Sequence, residues 1–249
     1  SATQRPPPAP LQSRSPPLMG ATLPKPVCCT ILERHGSTDF RVGLAEMNGW
    51  RNSMEDAHVV HLGKGVGYFG ILDGHGGSEC SEWCAKRIHE ILRSQGCPKS
   101  DAAAKKMVLD VDREFLAQGM SSGSTAAMCT VQVPADARGK YSLHVINAGD
   151  SRVLLSRGDG TMVEGPGTDN GLTTDHKPGE PSERARIERC GGRVEVAMGG
   201  VLRLNGELSV SRGFGDAEHK KTGGPAPENR PVHTCMHAYA WHACMSTYE

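Results

Sequence analysis

The sequence is poor in aromatic residues and has no excess of either charge. Only 4% of its 249 residues are Phe, Trp or Tyr, so any core must be mainly aliphatic. Acidic and basic residues number 28 each, which argues against a protein that binds nucleic acid through a basic surface. No apolar run approaches the roughly 20 residues of a membrane-spanning helix. The length suits one large domain or two small ones.

The cysteine pattern is not that of a disulfide-rich protein. The nine cysteines are an odd number and lack the spacing of a disulfide framework. No apolar h-region of a secretory signal follows the N-terminus. These features predict reduced thiols in a cytoplasmic or nuclear protein. Cys80 and Cys84 lie at helical spacing, so we expect core thiols rather than metal ligands.

Composition divides the chain into three parts. Residues 1–36 are rich in Pro, Ser and Arg and have little to bury, which predicts an unstructured segment. From Phe40 onward, short runs such as "FRVGLAEM", "AHVVHL" and "GYFGILD" have the texture of strands. Residues 233–249 show no clean period of either a strand or a helix.

Helices and strands come in separate blocks. The spacing predicts helices over "SECSEWCAKRIHEIL", from a Ser100 N-cap onward, and over "PGEPSERARIERCGG". Further strands are predicted at "STAAMCTVQV", at "YSLHVINAGD" and "SRVLLSRG" joined by a hairpin-like turn at 148–150, and at "RVEVA", "GVLRLNG" and "LSVSR". This block pattern favours an α+β fold with antiparallel sheets over a doubly wound fold.

Several carboxylates lie at the ends of predicted strands. Asp73 ends a buried strand, Glu55 and Asp56 precede another, and Asp150 lies in the hairpin-like turn. Acidic residues at strand ends can converge on one edge of a sheet. Carboxylate oxygens are the ligands that Mg²⁺ and Mn²⁺ prefer.

The residues around these carboxylates suit phosphate chemistry. Gly74 leaves room for a backbone carbonyl or a phosphate to approach. His75 can hold or release a proton near neutral pH. Arg51 carries a planar fork that matches phosphate oxygens. Together with the carboxylates, these residues suggest metal-assisted phosphoryl chemistry.

Six motifs occur in the order found in a known enzyme family. They are "GWRNSMEDAH", "GYFGILDGHGG", "SSGSTAAMCTV", "VINAGDSRVLL", "TTDHKPGEPSERARIERCGGRV" and "RLNGELSVSRGFGD". Residues 38–232 therefore resemble the metal-dependent protein phosphatases of the 2C type. The resemblance implies hydrolysis of phosphoserine and phosphothreonine in proteins. It also implies two packed antiparallel sheets flanked by helices, an α-β-β-α sandwich.

The resemblance assigns metal ligands residue by residue. Asp73 is similar to the carboxylate that bridges two ions, which would be Mg²⁺ or Mn²⁺. Gly74 is similar to the residue whose backbone carbonyl binds one of them. Glu55 is similar to a further ligand of that ion, with Asp56 beside it in the same motif. Asp150 is similar to a carboxylate near the metals that acts through water or holds an additional ion.

The resemblance also assigns the groups that act on the phosphate. Arg51 is similar to the arginine that binds phosphate. His75 is similar to the general acid that protonates the leaving Ser or Thr oxygen. Two divalent ions would lower the pKa of a shared water, which attacks phosphorus without a phosphoenzyme.

The sequence departs from the family beyond Asp216. Family members carry a later Asp-Gly and an Asp-Asn pair, whereas this chain has no aspartate after Asp216. We therefore expect residues 37–232 to form a partial domain without the C-terminal part of the fold. One metal would keep its ligands and the second site would be incomplete. The alternative function is that of an impaired relative that binds phosphoproteins or regulates a full-length phosphatase.

The two ends of the chain carry weaker signals. Within residues 233–249, the stretches "HTCMHA" and "AWHACM" can be encoded by alternating purine–pyrimidine tracts, which suggests translated intron or frame-shifted sequence. The other interpretation is a metal module at His233, Cys235, His237, His242 and Cys244, whose spacing fits no standard zinc pattern. If translation starts at Met19, Gly20 becomes a candidate for myristoylation, a weak lipid anchor.

Overall fold

The computed structural model describes residues 22–136, 139–197 and 199–220, and the backbone of one further strand. The strands are β1 (Thr22–Gly36), β2 (Arg41–Arg51), β3 (Asp56–Gly63), β4 (Val66–His75), β5 (Gly123–Ser124), β6 (Ala126–Gln132), β7 (Tyr141–Ala148), β8 (Val194–Val196), β9 (Leu202–Leu204), β10 (Phe214–Gly215) and β11 (His237–Ala243). The helices are α1 (Glu79–Gln95), α2 (Asp101–Leu116), α3 (Pro181–Arg189) and α4 (Ala217–Lys220).

Strand β4 organises the main antiparallel sheet. This seven-stranded sheet runs in the order β10-β5-β4-β6-β7-β11, and β3 also pairs with β4. β3 pairs with β4 as far as Asp73 on one side, while β6 and then β5 pair with the other side of β4 in a single register that extends to Gly74 and His75. Gly74 and His75 therefore extend β4 beyond the end of its ladder with β3 and, among the described strands, are paired only with β5.

Helices α1 and α2 cover one face of this sheet. The stripe predicted for α1 is buried, with Cys80, Cys84 and Ile88 all 0% exposed. From β4, Tyr68 and Leu72 point into the same core. Burial of an aliphatic side chain such as Ile88 or Leu72 contributes about 1.5–3 kcal/mol. Ser100 caps α2, as its sequence predicts, by accepting a hydrogen bond from the backbone N–H of Ala103.

The pair β1–β2 lies against the opposite face. Phe69 alternates with the buried Tyr68 along β4, and its ring meets that of Phe40 edge-on at a centroid distance of 5.8 Å. The carboxylate of Asp39 accepts a hydrogen bond of 3.0 Å from the backbone N–H of Gly65. The predicted fold class is confirmed, because antiparallel sheets are flanked by helices in an α+β arrangement.

Four local predictions need correction. Residues 22–36 were assigned to the unstructured segment, yet they form β1, because their backbone pairs with β2 over most of its length. Residues 151–158 form no regular strand but a single bridge, Ser156 to Met162. The run "LSVSR" contributes only the bridge from Leu204 to Leu208. Residues 237–243, which matched no period, pair with β7.

Two remaining expectations concern a lipid anchor at Gly20 and membrane-spanning helices. Gly20 lies outside the described residues, as does the rest of 1–21. None of the helices in the described parts of the chain is long and apolar enough to cross a membrane.

Candidate active site

Asp73 and Asp56 meet at the edge of the sheet where the β3–β4 ladder ends. They occupy directly opposite positions in the β3–β4 ladder. Glu55 precedes β3, and its carbonyl oxygen accepts a hydrogen bond of 3.1 Å from the backbone N–H of Gly74. A Cβ on residue 74 would lie 2.3 Å from that carbonyl oxygen and 2.8 Å from Ser81 Oγ. Only glycine therefore lets the Glu55 backbone pack against the end of β4.

The carboxylates at this edge repel one another. Partial burial, followed by the charges of Asp56 and Asp150, raises the pKa of Asp73 to about 6. The guanidinium of Arg51 opposes this increase in the pKa of Asp73. Arg51 is the exposed last residue of β2. The structure thus brings the predicted arginine and three of the predicted carboxylates within electrostatic range of one another.

Asp150 lies beyond the end of β7 and is held by the segment 175–177. Its carboxylate accepts a hydrogen bond from Lys177 Nζ. The backbone of Gly149 donates to His176 Nδ1 at 3.2 Å, and its carbonyl accepts from the His176 N–H at 2.9 Å. The hairpin predicted at 148–150 is therefore a turn that packs against 175–177, and Lys177 is a partner that the sequence did not predict.

His75 is paired with a residue far away in the sequence. Its Nε2 lies 2.9 Å and 3.0 Å from the two carboxylate oxygens of Asp216. Asp216 is 6% exposed, and the His75 side chain is 29% exposed. Burial alone would lower the pKa of His75, but the hydrogen bond and charge of Asp216 outweigh burial and raise this pKa.

The donor set fits a hard divalent cation by its chemistry. Glu55, Asp56, Asp73 and Asp150 offer only carboxylate oxygens. Burial, followed by the charges of Asp56 and Asp150, raises the pKa of Asp73 against the opposing charge of Arg51. Across residues 22–136, 139–197 and 199–220, no group of three or more His, Cys, Asp or Glu side chains is already placed to hold a metal ion. The fit therefore rests on donor chemistry and charge.

Comparison with known proteins identifies the family. The family model "Protein phosphatase 2C" matches residues 40–238. The chain belongs to the protein phosphatase 2C family. It is similar to "Protein phosphatase 2C homolog 2" of Schizosaccharomyces pombe, with 33% identity over 86% of this chain and 57% of the relative. It is also similar to "Protein phosphatase 2C 1" of Paramecium tetraurelia, with 35% identity over 71% of this chain and 59% of the relative.

A solved structure supports the fold of this family member. A phosphatase from a pathogenic strain of Toxoplasma gondii superposes with a TM-score of 0.64 at 24% identity, over 90% of this chain and 75% of that chain. This likeness concerns the fold alone. The chain spans less than two thirds of the length of the two curated relatives, 57% and 59%.

The sequence did not predict two residues that shape the site of this protein phosphatase 2C family member. Asp216 approaches His75 across 141 residues of sequence. Gly123 lies between them, because it pairs with His75 on one side and with Gly215 on the other. The available signal was the position of Asp216 directly after Phe214-Gly215, since Asp73 likewise follows an apolar run in the sequence.

Proposed function

We propose that the chain hydrolyses phosphoserine and phosphothreonine in proteins and depends on Mg²⁺ or Mn²⁺. The observation that carries the proposal is the meeting of Asp56 and Asp73 beside His75 at the end of β4. Membership of the protein phosphatase 2C family supports the same reaction.

The residues that would hold the cation are those with oxygen donors at this edge. Glu55, Asp56 and Asp73 supply carboxylates, Gly74 supplies its backbone carbonyl, and Asp150 supplies a further carboxylate next to Lys177. A bound divalent cation would neutralise phosphate charge and lower the pKa of a water molecule. The cation would also relieve the repulsion that raises the pKa of Asp73.

Arg51 and His75 would act directly on the substrate. Arg51 is exposed at the end of β2, and its guanidinium can bind two phosphate oxygens at once. His75 would give a proton to the seryl or threonyl oxygen as the P–O bond breaks. Its side chain is partly exposed, so a substrate in solvent can reach it.

Phosphate release from synthetic peptides tests this function. With Mn²⁺, we expect release from a phosphothreonine peptide and little from a phosphotyrosine peptide of the same sequence. The phosphotyrosine peptide is the matched control, because it carries the same phosphate group on a residue that the proposed specificity excludes. Turnover that is unchanged by EDTA would contradict the role of the cation. Binding of the phosphothreonine peptide without release would indicate a phosphoprotein-binding relative instead.

A further inference from the structure

We propose that Asp216 is the positioning residue of His75, a role that rests on the proposed phosphatase function. The carboxylate of Asp216 binds His75 Nε2 through both oxygens, at 2.9 Å and 3.0 Å. This contact leaves Nδ1 as the ring nitrogen that can face a leaving group. Asp216 would thereby fix both the orientation of the ring and the nitrogen that donates the proton.

The strand register brings the two residues together. Gly123 pairs with His75 across the β4–β5 ladder and with Gly215 across the β5–β10 ladder. Asp216 follows Gly215 directly, so it lies two strands away from His75 with Gly123 in between. The pairing of these three strands therefore determines that the carboxylate and the imidazole approach each other.

Gly123 provides the space in which they meet. A Cβ at position 123 would lie 2.2 Å from Asp216 Oδ1 and 2.3 Å from His75 Nε2. Non-bonded heavy atoms do not approach this closely, so any side chain would separate the pair or displace the strand. The absence of a side chain at Gly123 is a condition for the contact.

Asp216 is itself held firmly. Its backbone has a φ of +52°, in the left-handed region that a non-glycine residue rarely adopts. The preceding N–H, that of Gly215, donates to Asp112 Oδ1 at 2.8 Å. Lys220 Nζ, at the end of α4, reaches the two oxygens of the same Asp112 carboxylate at 2.7 Å and 2.8 Å. Buried contacts on both sides of Asp216 thus limit its freedom.

The proposed proton transfer follows from this arrangement. A water oxygen forms the new bond to phosphorus and releases a proton to solvent as the bond to the seryl or threonyl oxygen breaks. The electron pair of the broken bond stays on the seryl or threonyl oxygen. That oxygen takes the Nδ1 proton of the imidazolium, while Nε2–H continues to donate to Asp216. The ring is left neutral and recovers a proton from solvent. Asp216 touches no reacting atom, so it acts by holding the Nε2 side of the ring and thereby positions the acid.

Kinetics on two substrates separate this role from a purely structural one. We expect Asp216→Asn to lower kcat about 10–100-fold on a phosphothreonine peptide, the size found for groups that orient a metal-bound histidine. KM should change little. The loss should be much smaller on p-nitrophenyl phosphate, whose leaving group hardly needs a proton. Asp159→Asn, on an exposed turn, is the matched control and should leave both rates unchanged.

Substitution of two separate glycines provides a second test of the contact between Asp216 and His75. Gly123→Ala should reproduce the substrate-dependent loss, because its Cβ would separate the two side chains. Gly43→Ala is the matched control, since an added Cβ there meets nothing within 4 Å. Thermal unfolding of all variants shows whether the fold persists.

A spectroscopic measurement reports on the contact without any turnover. In proton–nitrogen NMR, we expect a downfield Nε2–H resonance of His75, assigned by its absence in His75→Gln. It should persist in Asp159→Asn and disappear in Asp216→Asn and Gly123→Ala.

The outcomes distinguish the two proposals. A wild-type chain that turns over neither substrate removes the proposed function and this inference with it. If the wild type is active and Asp216→Asn lowers kcat by the same factor on both substrates, or does not lower it at all, the positioning role alone is overturned. A His75 Nε2–H resonance that survives Asp216→Asn also overturns it.

Discussion

Asp56 and Asp73 lie directly opposite each other in the ladder between β3 and β4. Residues in this relationship point to the same side of a sheet, where like charges destabilise each other. Partial burial, followed by the charges of Asp56 and Asp150, raises the pKa of Asp73 to about 6. A site under such repulsion gains stability when a cation or a proton binds.

Proton and cation should therefore compete for Asp73. A carboxylate must lose its proton to bind a metal, so Mn²⁺ affinity should decrease as the pH falls through about 6. Below that point we expect roughly a tenfold loss per pH unit if one proton is displaced. Calorimetric titration with Mn²⁺ between about pH 5 and pH 7.5 measures this. An affinity that does not change across the range would mean that Asp73 is not a ligand.

Removing the charge of Asp73 should stabilise the chain without metal. The folded-state pKa of about 6 exceeds the ordinary value, so the charged form is disfavoured by folding at pH 7.5. Asp73→Asn should therefore raise Tm in EDTA at that pH. The gain should shrink as the pH falls through 6, and solvent screening should limit it to roughly 1 kcal/mol. Asp159→Asn is the control, and a lower Tm for Asp73→Asn alone would contradict the repulsion.

His75 should matter mainly for poor leaving groups. His75→Gln should lower the rate on a phosphothreonine peptide by roughly 10²–10⁴-fold, the usual contribution of general acid catalysis. The loss on p-nitrophenyl phosphate should be small, and the Mn²⁺ affinity should remain nearly intact. Parallel kinetics on the two substrates check this. Equal losses would make His75 a ligand or a structural residue.

The sequence predicted the elements whose patterns reflect packing against a core. The run Tyr68–Leu72 and the buried stripe of α1 were placed correctly because their periods match the faces that they bury. β1 was missed because Pro24 and Pro26 suggest a segment without structure, although prolines are tolerated on an edge strand.

Other features depend on contacts that no local pattern records. Residues 153 and 155 alternate with exposed neighbours as in a strand, but their carbonyls accept hydrogen bonds from Leu172 and Val163, respectively. Packing against a loop produced that alternation. The pairing of His75 with Asp216 spans 141 residues, and spacing along the chain cannot reveal it.

Glu183 should be important for stability. Its Oε2 accepts hydrogen bonds from Arg186 at 2.7 Å, Ser211 at 2.6 Å and Arg212 at 3.0 Å. Burial would raise the pKa of Glu183, but these hydrogen bonds hold it far below its usual range. The stability that it contributes is present above the ordinary Glu pKa of about 4.3 and is lost as the pH falls toward the lower folded value.

Glu183→Gln tests this contribution. Breaking a buried ion pair should cost about 3–5 kcal/mol at pH 7, because Arg186 and Arg212 lose their buried counterion. Urea unfolding measures the change. The control is Glu188→Gln on the same helix, where the exposed pair with Arg184 should contribute less than about 1 kcal/mol. Similar losses in the two variants would contradict the role assigned to Glu183.

The most direct test of the proposed function is phosphate release by the wild-type chain and by Asp73→Asn, with Mn²⁺ and a phosphothreonine peptide. Loss of a residue that hydrogen-bonds to a metal ligand typically lowers activity about 10–100-fold. Loss of Asp73, the expected bridging ligand itself, should therefore lower the rate of phosphate release by more than about 100-fold. Extra Mn²⁺ should restore little of the rate, and Asp159→Asn should match the wild type. An Asp73→Asn variant that releases phosphate at the wild-type rate would contradict the account.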